Sequence, residues 1–232
     1  MIKRKICVVT GSRAEFGLLF WVLKELLDDK DIKLQLVVTG MHLSQEFGYT
    51  YKEIEKDFKI DSKINMQLFS DTSEGISTSM GIAQKSFSKV YKKLKPDIIL
   101  VLGDRYEIFS AVCAAMIAKV PIAHIHGGEI TEGSWDDNIR HCITKIAHLH
   151  FTATDIYRNR VIQLGENPKN VFNVGSLGVE NINKTTFLNK EELKKKLKIK
   201  FNKYNFLITI NSFIEEEISL KLFLENLLLA LN

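Results

Sequence analysis

The sequence predicts an α/β fold: a doubly wound parallel sheet, Rossmann-like, followed by the start of a second α/β domain. Three observations carry this. Short runs of Val, Ile and Leu recur without strict polar alternation, as in strands buried on both faces. Helical patterns separate these runs, which is the rhythm of a parallel sheet with crossovers. The 232 residues, 45% hydrophobic and 26% charged, are enough for one full domain with some chain left over.

The elements follow in order. KICVVT (5–10) is the first strand, because the apolar stretch after the basic start is too short for a signal peptide. KLQLVVTG (33–40), DIILVLG (97–103), VPIAHIH (120–126), HLHFTAT (148–154) and NVFNVG (170–175) are further strands. The clearest helix spans 75–95, with Ile76, Met80, Ala83, Phe87, Val90, Tyr91 and Leu94 at helical spacing. Lys89, Lys92, Lys93 and Lys95 crowd its last turns, where cations suit the helix dipole, and Pro96 stops it. Near residue 180 the rhythm changes. Residues 1–180 are expected to form the Rossmann-like domain and 181–203 a linker with an exposed basic helix. Residues 204–232 would be an incomplete second Rossmann-like domain, with the strand NFLITI (205–210) and the apolar helix EEEISLKLFLENLLLALN (215–232). One strand and one helix cannot bury their own apolar faces, so a second domain is expected to begin here and end early.

Composition narrows the class. The net charge is +4, yet residues 184–203 alone hold eight lysines against Glu191 and Glu192. The basicity is thus one local lysine-rich stretch, read as a solvated helix face, and no nucleic-acid partner is expected. No apolar run approaches a membrane span. Cys7, Cys113 and Cys142 are far apart and form no CxxC, which suits buried thiols in a reducing cytoplasm.

In a doubly wound sheet, ligands sit at the carboxyl ends of the strands. The first such loop, TGSRAEFG (10–17), has Gly11 and Gly17 but no GxGxxG, which argues against a nicotinamide cofactor. Arg13 at its mouth could meet a phosphate or pair with Glu15 or another surface acid. TGMHLS (39–44) places His42 after a tight glycine turn, where a lone histidine is more often structural than functional. In LGDRYE (102–107), Asp104 is the first residue past a buried strand, facing the cleft or capping the next helix, and Arg105 beside it could hold an anionic or hydroxyl-rich ligand. AHIHGGEITEGSWDDNIRH (123–141) is densest in titratable groups. His124 and His126 are expected to point the same way. Gly127 and Gly128 permit a sharp turn, and Glu129 follows them. Asp136 and Asp137 open a helix, Asp136 as a possible N-cap, with Arg140 and His141 one turn on. No metal is expected, since His124, His126 and His141 lack ligand spacing. Carboxylates gathered in a cleft raise one another's pKa, so one can act as acid and another as base near neutrality.

Six segments in register carry a resemblance: TGSRAEFG, VTGMHLS, KPDIILVLGDRYEIFSA, IAHIHGGE, DDNIRHCITKIAHLHF and VIQLGENPKNVFNVGSLGVEN. From residue 5 to about 182 the chain resembles the hydrolysing UDP-N-acetylglucosamine 2-epimerases, in the bacterial branch that serves sialic-acid-type sugar synthesis. The resemblance implies the N-terminal half of a glycosyltransferase-B-type arrangement, a UDP-sugar substrate, a homodimer, and neither metal nor nicotinamide. It implies anti elimination of UDP, a glycal intermediate, then water addition to release a free N-acetylmannosamine-type sugar. Asp104, Glu129 and Asp136 match the family's catalytic acids. Arg13, His42, Arg105, His126 and Arg140 match positions near substrate. Other branches have a glutamate at His126, so the group that takes the C2 proton is open. After LITI the chain has Asn211, Ser212 and Phe213 where the family has a histidine–proline pair. The 232 residues alone are expected to turn over a UDP-sugar poorly or not at all. UDP-N-acetylglucosamine, a diacetamido-trideoxy analogue and a GDP-linked sugar all fit this branch. A glycosyltransferase-type domain and a non-catalytic sugar-nucleotide-binding fragment are the alternatives.

Overall fold

The structure is a computed structural model that describes residues 3–209 and 220–231. The chain divides into two compact units, Met1–Lys184 and Thr185–Asn232.

The first unit is built on seven parallel strands: β1 (Arg4–Thr10), β2 (Ile32–Thr39), β3 (Ser62–Ile64), β4 (Ile98–Leu102), β5 (Ile122–Ile125), β6 (Leu149–Thr152) and β7 (Val171–Asn173). They lie side by side in the order β3-β2-β1-β4-β5-β6-β7. The order turns back between β1 and β4, the switch point where such sheets open a crevice. Register sets the rim. Thr10 pairs with Val38, Val8 with Leu100, and Leu102 with Ile125, so the loops after β1, β2, β4 and β5 emerge together.

Strand residues alternate between two cores. Val9, Val37, Ile99 and Val101 pack with Phe87, Ile108 and Ile143 on one face. Val8, Leu36, Leu100 and Ile125 pack with Leu19 and Leu23 on the other. Both faces are covered, which is why the strands read as continuous apolar runs. The helices are α1 (Arg13–Asp28), α2 (Tyr51–Ile54), α3 (Ser73–Leu94), α4 (Tyr106–Ile117), α5 (Asp136–Ile146), α6 (Asp155–Gln163) and α7 (Leu177–Lys184). α3 starts at Thr72, whose side chain accepts from the Gly75 N–H, and ends at Lys95 in the left-handed region.

Two elements of this unit differ from expectation. β3 is only three residues, SKI, and its pairing with β2 fixes it more than any apolar pattern does. α7 continues past residue 180 as a short helix against α1, where Asn181 Nδ2 donates to the Gly17 carbonyl at 2.7 Å and Lys184 lies 3.3 Å from Glu25. In the second unit, α8 (Lys190–Leu197) carries the basic run and α9 (Leu220–Leu231) the apolar one. Among the described residues, 205–209 are not part of a strand. Asn211, Ser212, Phe213 and residues 215–219 lie outside the described residues.

Candidate active site

The loop after β1 folds around a capping box. Ser12 Oγ accepts from the Glu15 N–H at 3.3 Å, and Glu15 Oε2 accepts from the N–H groups of Gly11 (2.6 Å) and Ser12 (3.1 Å). Burial pushes the Glu15 carboxyl up to about 8, against the Gly11 hydrogen bond and with added repulsion from Glu107. Arg13 does not pair with this Glu15. It stays exposed, 3.5 Å from Glu53. Gly40 sits at φ +58, and a Cβ there would lie 2.8 Å from the Gly11 carbonyl oxygen, so the loops after β1 and β2 interlock. His42 is sealed beneath them. Its Nε2 is 3.1 Å from Thr10 Oγ1 and its Nδ1 2.7 Å from Thr50 Oγ1. Burial pushes its pKa down to about 4, so the ring is neutral at pH 7. His42 thus lies inside the fold between two hydroxyls and not on the open rim.

After β4, Gly103 turns at φ +80 and Arg105, not Asp104, occupies the N-cap position of α4. Arg105 donates from Nε (3.0 Å) and Nη2 (2.8 Å) to Glu107 Oε1, whose side chain is fully buried. Asp104 is free of capping and faces Arg140. The Arg140 guanidinium, 5% exposed, donates to Asp104 Oδ2, to Asp137 Oδ1 (2.8 Å) and to Thr131 Oγ1 (2.9 Å).

The stretch after β5 separates its two histidines. His124 is buried in the strand, its Nε2 2.8 Å from the Gly103 carbonyl oxygen and its Nδ1 3.2 Å from Thr144 Oγ1. Burial pushes its pKa down to about 3, so it bridges the ends of β4 and β5 as a neutral ring. His126 lies past the strand at φ +65 and turns elsewhere. Its Nδ1 is 3.4 Å from Glu129 Oε1, and its Nε2 is buried without a hydrogen-bond partner. Burial lowers its pKa, opposed by Glu129 and Asp104 and reinforced by Arg140. Gly128, at φ +82, leaves no room for a side chain: a Cβ would sit 2.4 Å from the Tyr157 carbonyl oxygen. Trp135 holds the N-cap position of α5, so Asp136 is its first helical residue and not its cap. Burial, and next the charge of Asp104, raises the Asp136 pKa, while Arg105 and Arg140 oppose the shift.

The structure therefore gathers Asp104, Asp136, Arg105 and Arg140 into one electrostatic cluster, joined by His126. Glu129 reaches it through His126. Arg13 and His42 belong to the β1–β2 side. Among the described residues no three His, Cys, Asp or Glu side chains converge as a metal site. An anchored Asp104 beside a carboxyl of raised pKa is suited to proton transfer. An apolar hollow of about 420 Å³ lies elsewhere, between α1, α7 and the strands, with Glu180 its one charged lining residue and no part in this cluster. Two buried carboxyls of these loops were not singled out from the sequence as site residues: Glu15 and Glu107. The S-x-x-E spacing of Ser12 and Glu15 was a legible signal for the first. Nothing local marks Glu107 as buried.

The chain resembles known proteins in sequence and in fold. The family model described as UDP-N-acetylglucosamine 2-epimerase matches residues 24–213. The chain is 48% identical over 209 residues to the GDP/UDP-N,N'-diacetylbacillosamine 2-epimerase (hydrolyzing) of Campylobacter jejuni, across 90% of this chain and 54% of that one. It is 40% identical to the polysialic acid biosynthesis protein P7 of Escherichia coli, across 96% of this chain and 60% of that one. It superimposes with a TM-score of 0.70 on the UDP-GlcNAc 2-epimerase of Neisseria meningitidis bound to UDP-GlcNAc, at 22% identity, covering 84% of this chain and 53% of that one. The chain spans about half the length of the curated relatives it matches.

Proposed function

The chain belongs to the UDP-N-acetylglucosamine 2-epimerase family, and from that premise we propose that it carries the proton-transfer site of a hydrolysing 2-epimerase. The substrate is a nucleoside-diphosphate-linked 2-acetamido sugar, and the 48%-identical relative favours N,N'-diacetylbacillosamine over N-acetylglucosamine. The products are the nucleoside diphosphate and the free sugar inverted at C2, an intermediate for sialic- or legionaminic-acid-type sugars. One observation carries the reading: Asp136 and Asp104 share a rim with two arginines, and Asp136 is raised by burial and by Asp104.

The chemistry follows from those environments. A base takes the C2 proton while the C1–O bond breaks and its electron pair leaves on the diphosphate. Asp104, held by Arg140, offers negative charge to the oxocarbenium character that develops at C1. Water then adds to C1 of the glycal, and a proton returns to C2 from the opposite face. Asp136 and the His126–Glu129 pair are the two groups placed to give and take those protons, each worth roughly 10²–10⁴-fold. Arg105, clamped by Glu107, presents a cation to the substrate. Arg13, exposed at the helix N-terminus, is placed to meet a phosphate, and His42 supports that loop from below.

The test uses this chain joined to the second half of its 48%-identical relative. UDP release from UDP-N,N'-diacetylbacillosamine is expected, and Asp104→Asn or Asp136→Asn should each reduce it at least 100-fold. Unchanged turnover in both variants would remove the proposed roles.

A further inference from the structure

A cleft of about 260 Å³ adjoins the site, between the loop after β2, the segment leading into α3, and the first turn of α4. Met41, Phe47 and Phe69 give it apolar walls, Glu46 and Asp71 give it carboxylates, and Tyr106 forms its inner side. Phe47 and Phe69 are 41% and 61% exposed. Two contacts and one electrostatic influence join the cleft to the site. Met41 Sδ lies 3.8 Å from Arg105 Nη2. The Tyr106 ring stacks on Trp135, the residue before Asp136, at 6.1 Å and 19°. The Tyr106 hydroxyl feels both Asp71 in the cleft and Asp136 in the site.

The lining selects the occupant. No lysine or arginine lines this cleft, and two carboxylates do, so an anionic group such as a diphosphate or a sugar acid is disfavoured. Aromatic faces and a thioether suit a methyl group, and carboxylates suit an N–H donor. An acetamido group has both. We propose that this cleft is the subsite for the second acetamido group of a 2,4-diacetamido sugar, the one on C4, and that it decides which 2-acetamido sugar the site accepts. This rests on the sugar-nucleotide reading above. The acetamido methyl packs against Phe69 and Phe47 while its N–H donates to Asp71 or Glu46. A sugar with a hydroxyl at C4 leaves the aromatic wall unfilled.

Saturation-transfer NMR on the 232-residue chain with UDP-N,N'-diacetylbacillosamine tests this without turnover. Both acetamido methyls should receive saturation. Phe69→Ala, at an exposed position that the fold does not need, should sharply reduce transfer to the C4 acetamido methyl while sparing the C2 methyl and the uridine. It should weaken binding about tenfold, and leave UDP-N-acetylglucosamine within about twofold. Asp71→Asn, of nearly the same shape, should show the same selectivity. A C4 acetamido methyl that receives no saturation from the wild-type chain, or variants that weaken both nucleotides equally, would overturn the subsite. Failure of UDP release in the joined protein would strike the epimerase reading alone, because the NMR experiment registers binding and no chemistry.

Discussion

Arg140 holds the site's carboxylates in place from inside the fold. Its guanidinium is almost fully enclosed and satisfied by Asp104, Asp137 and Thr131. Arg140→Met leaves two carboxylates facing a cavity without their cation. It should destabilise the protein by about 3–5 kcal/mol, read as a lower urea midpoint at pH 7. Glu15 is the opposite case, an acid that burial keeps from ionising. Its folded pKa of about 8 lies above the usual carboxyl value near 4.5. Stability tied to its proton is therefore intact below pH 4.5 and drains away as pH climbs to 8. Glu15→Gln cannot ionise, so its urea midpoint should gain on wild type across that window and match it near pH 4. A wild-type advantage at pH 8 would contradict the buried neutral acid. Asp104 and Asp136 were legible in the sequence because each stands just past a strand or at a helix start. The separation of His124 from His126 was not, since it depends on a left-handed turn at His126 and on neighbours distant in sequence.

Six of the seven strands in the sheet, and the long α3, show in the sequence through runs of branched apolar residues and a lysine-rich end closed by Pro96. β3 and α7 do not. Each is too short to show a period, and each exists because a longer neighbour pairs with it or packs against it. The loop between β5 and α5 matters most to the site. Gly128 approaches the α6 backbone so closely that a single methyl has no place, and its carbonyl accepts from Arg160. Gly128→Ala combines that collision with an unfavourable positive φ. It should move the segment carrying His126 and Glu129, cutting turnover by the joined protein at least tenfold while far-ultraviolet circular dichroism stays close to wild type. Retained full activity would mean that Glu129 is not positioned by this turn.

At the scale of the molecule, a parallel sheet reverses its strand order between β1 and β4 and delivers four loops to one rim. The fold class was readable from element rhythm, and the loops at the strand ends marked where the candidate site residues would stand. Of the strand expected at 205–210, residues 205–209 are not in a strand, and residue 210 lies outside the described residues. The central claim is that this rim exchanges the proton at C2 of a sugar nucleotide. The most direct measurement is turnover of UDP-N,N'-diacetylbacillosamine in deuterated water by this chain joined to the second half of its 48%-identical relative, followed by proton NMR. The free sugar should carry deuterium at C2 with inverted configuration, and Asp136→Asn should abolish its formation. A product that keeps the original C2 proton and configuration would contradict the account.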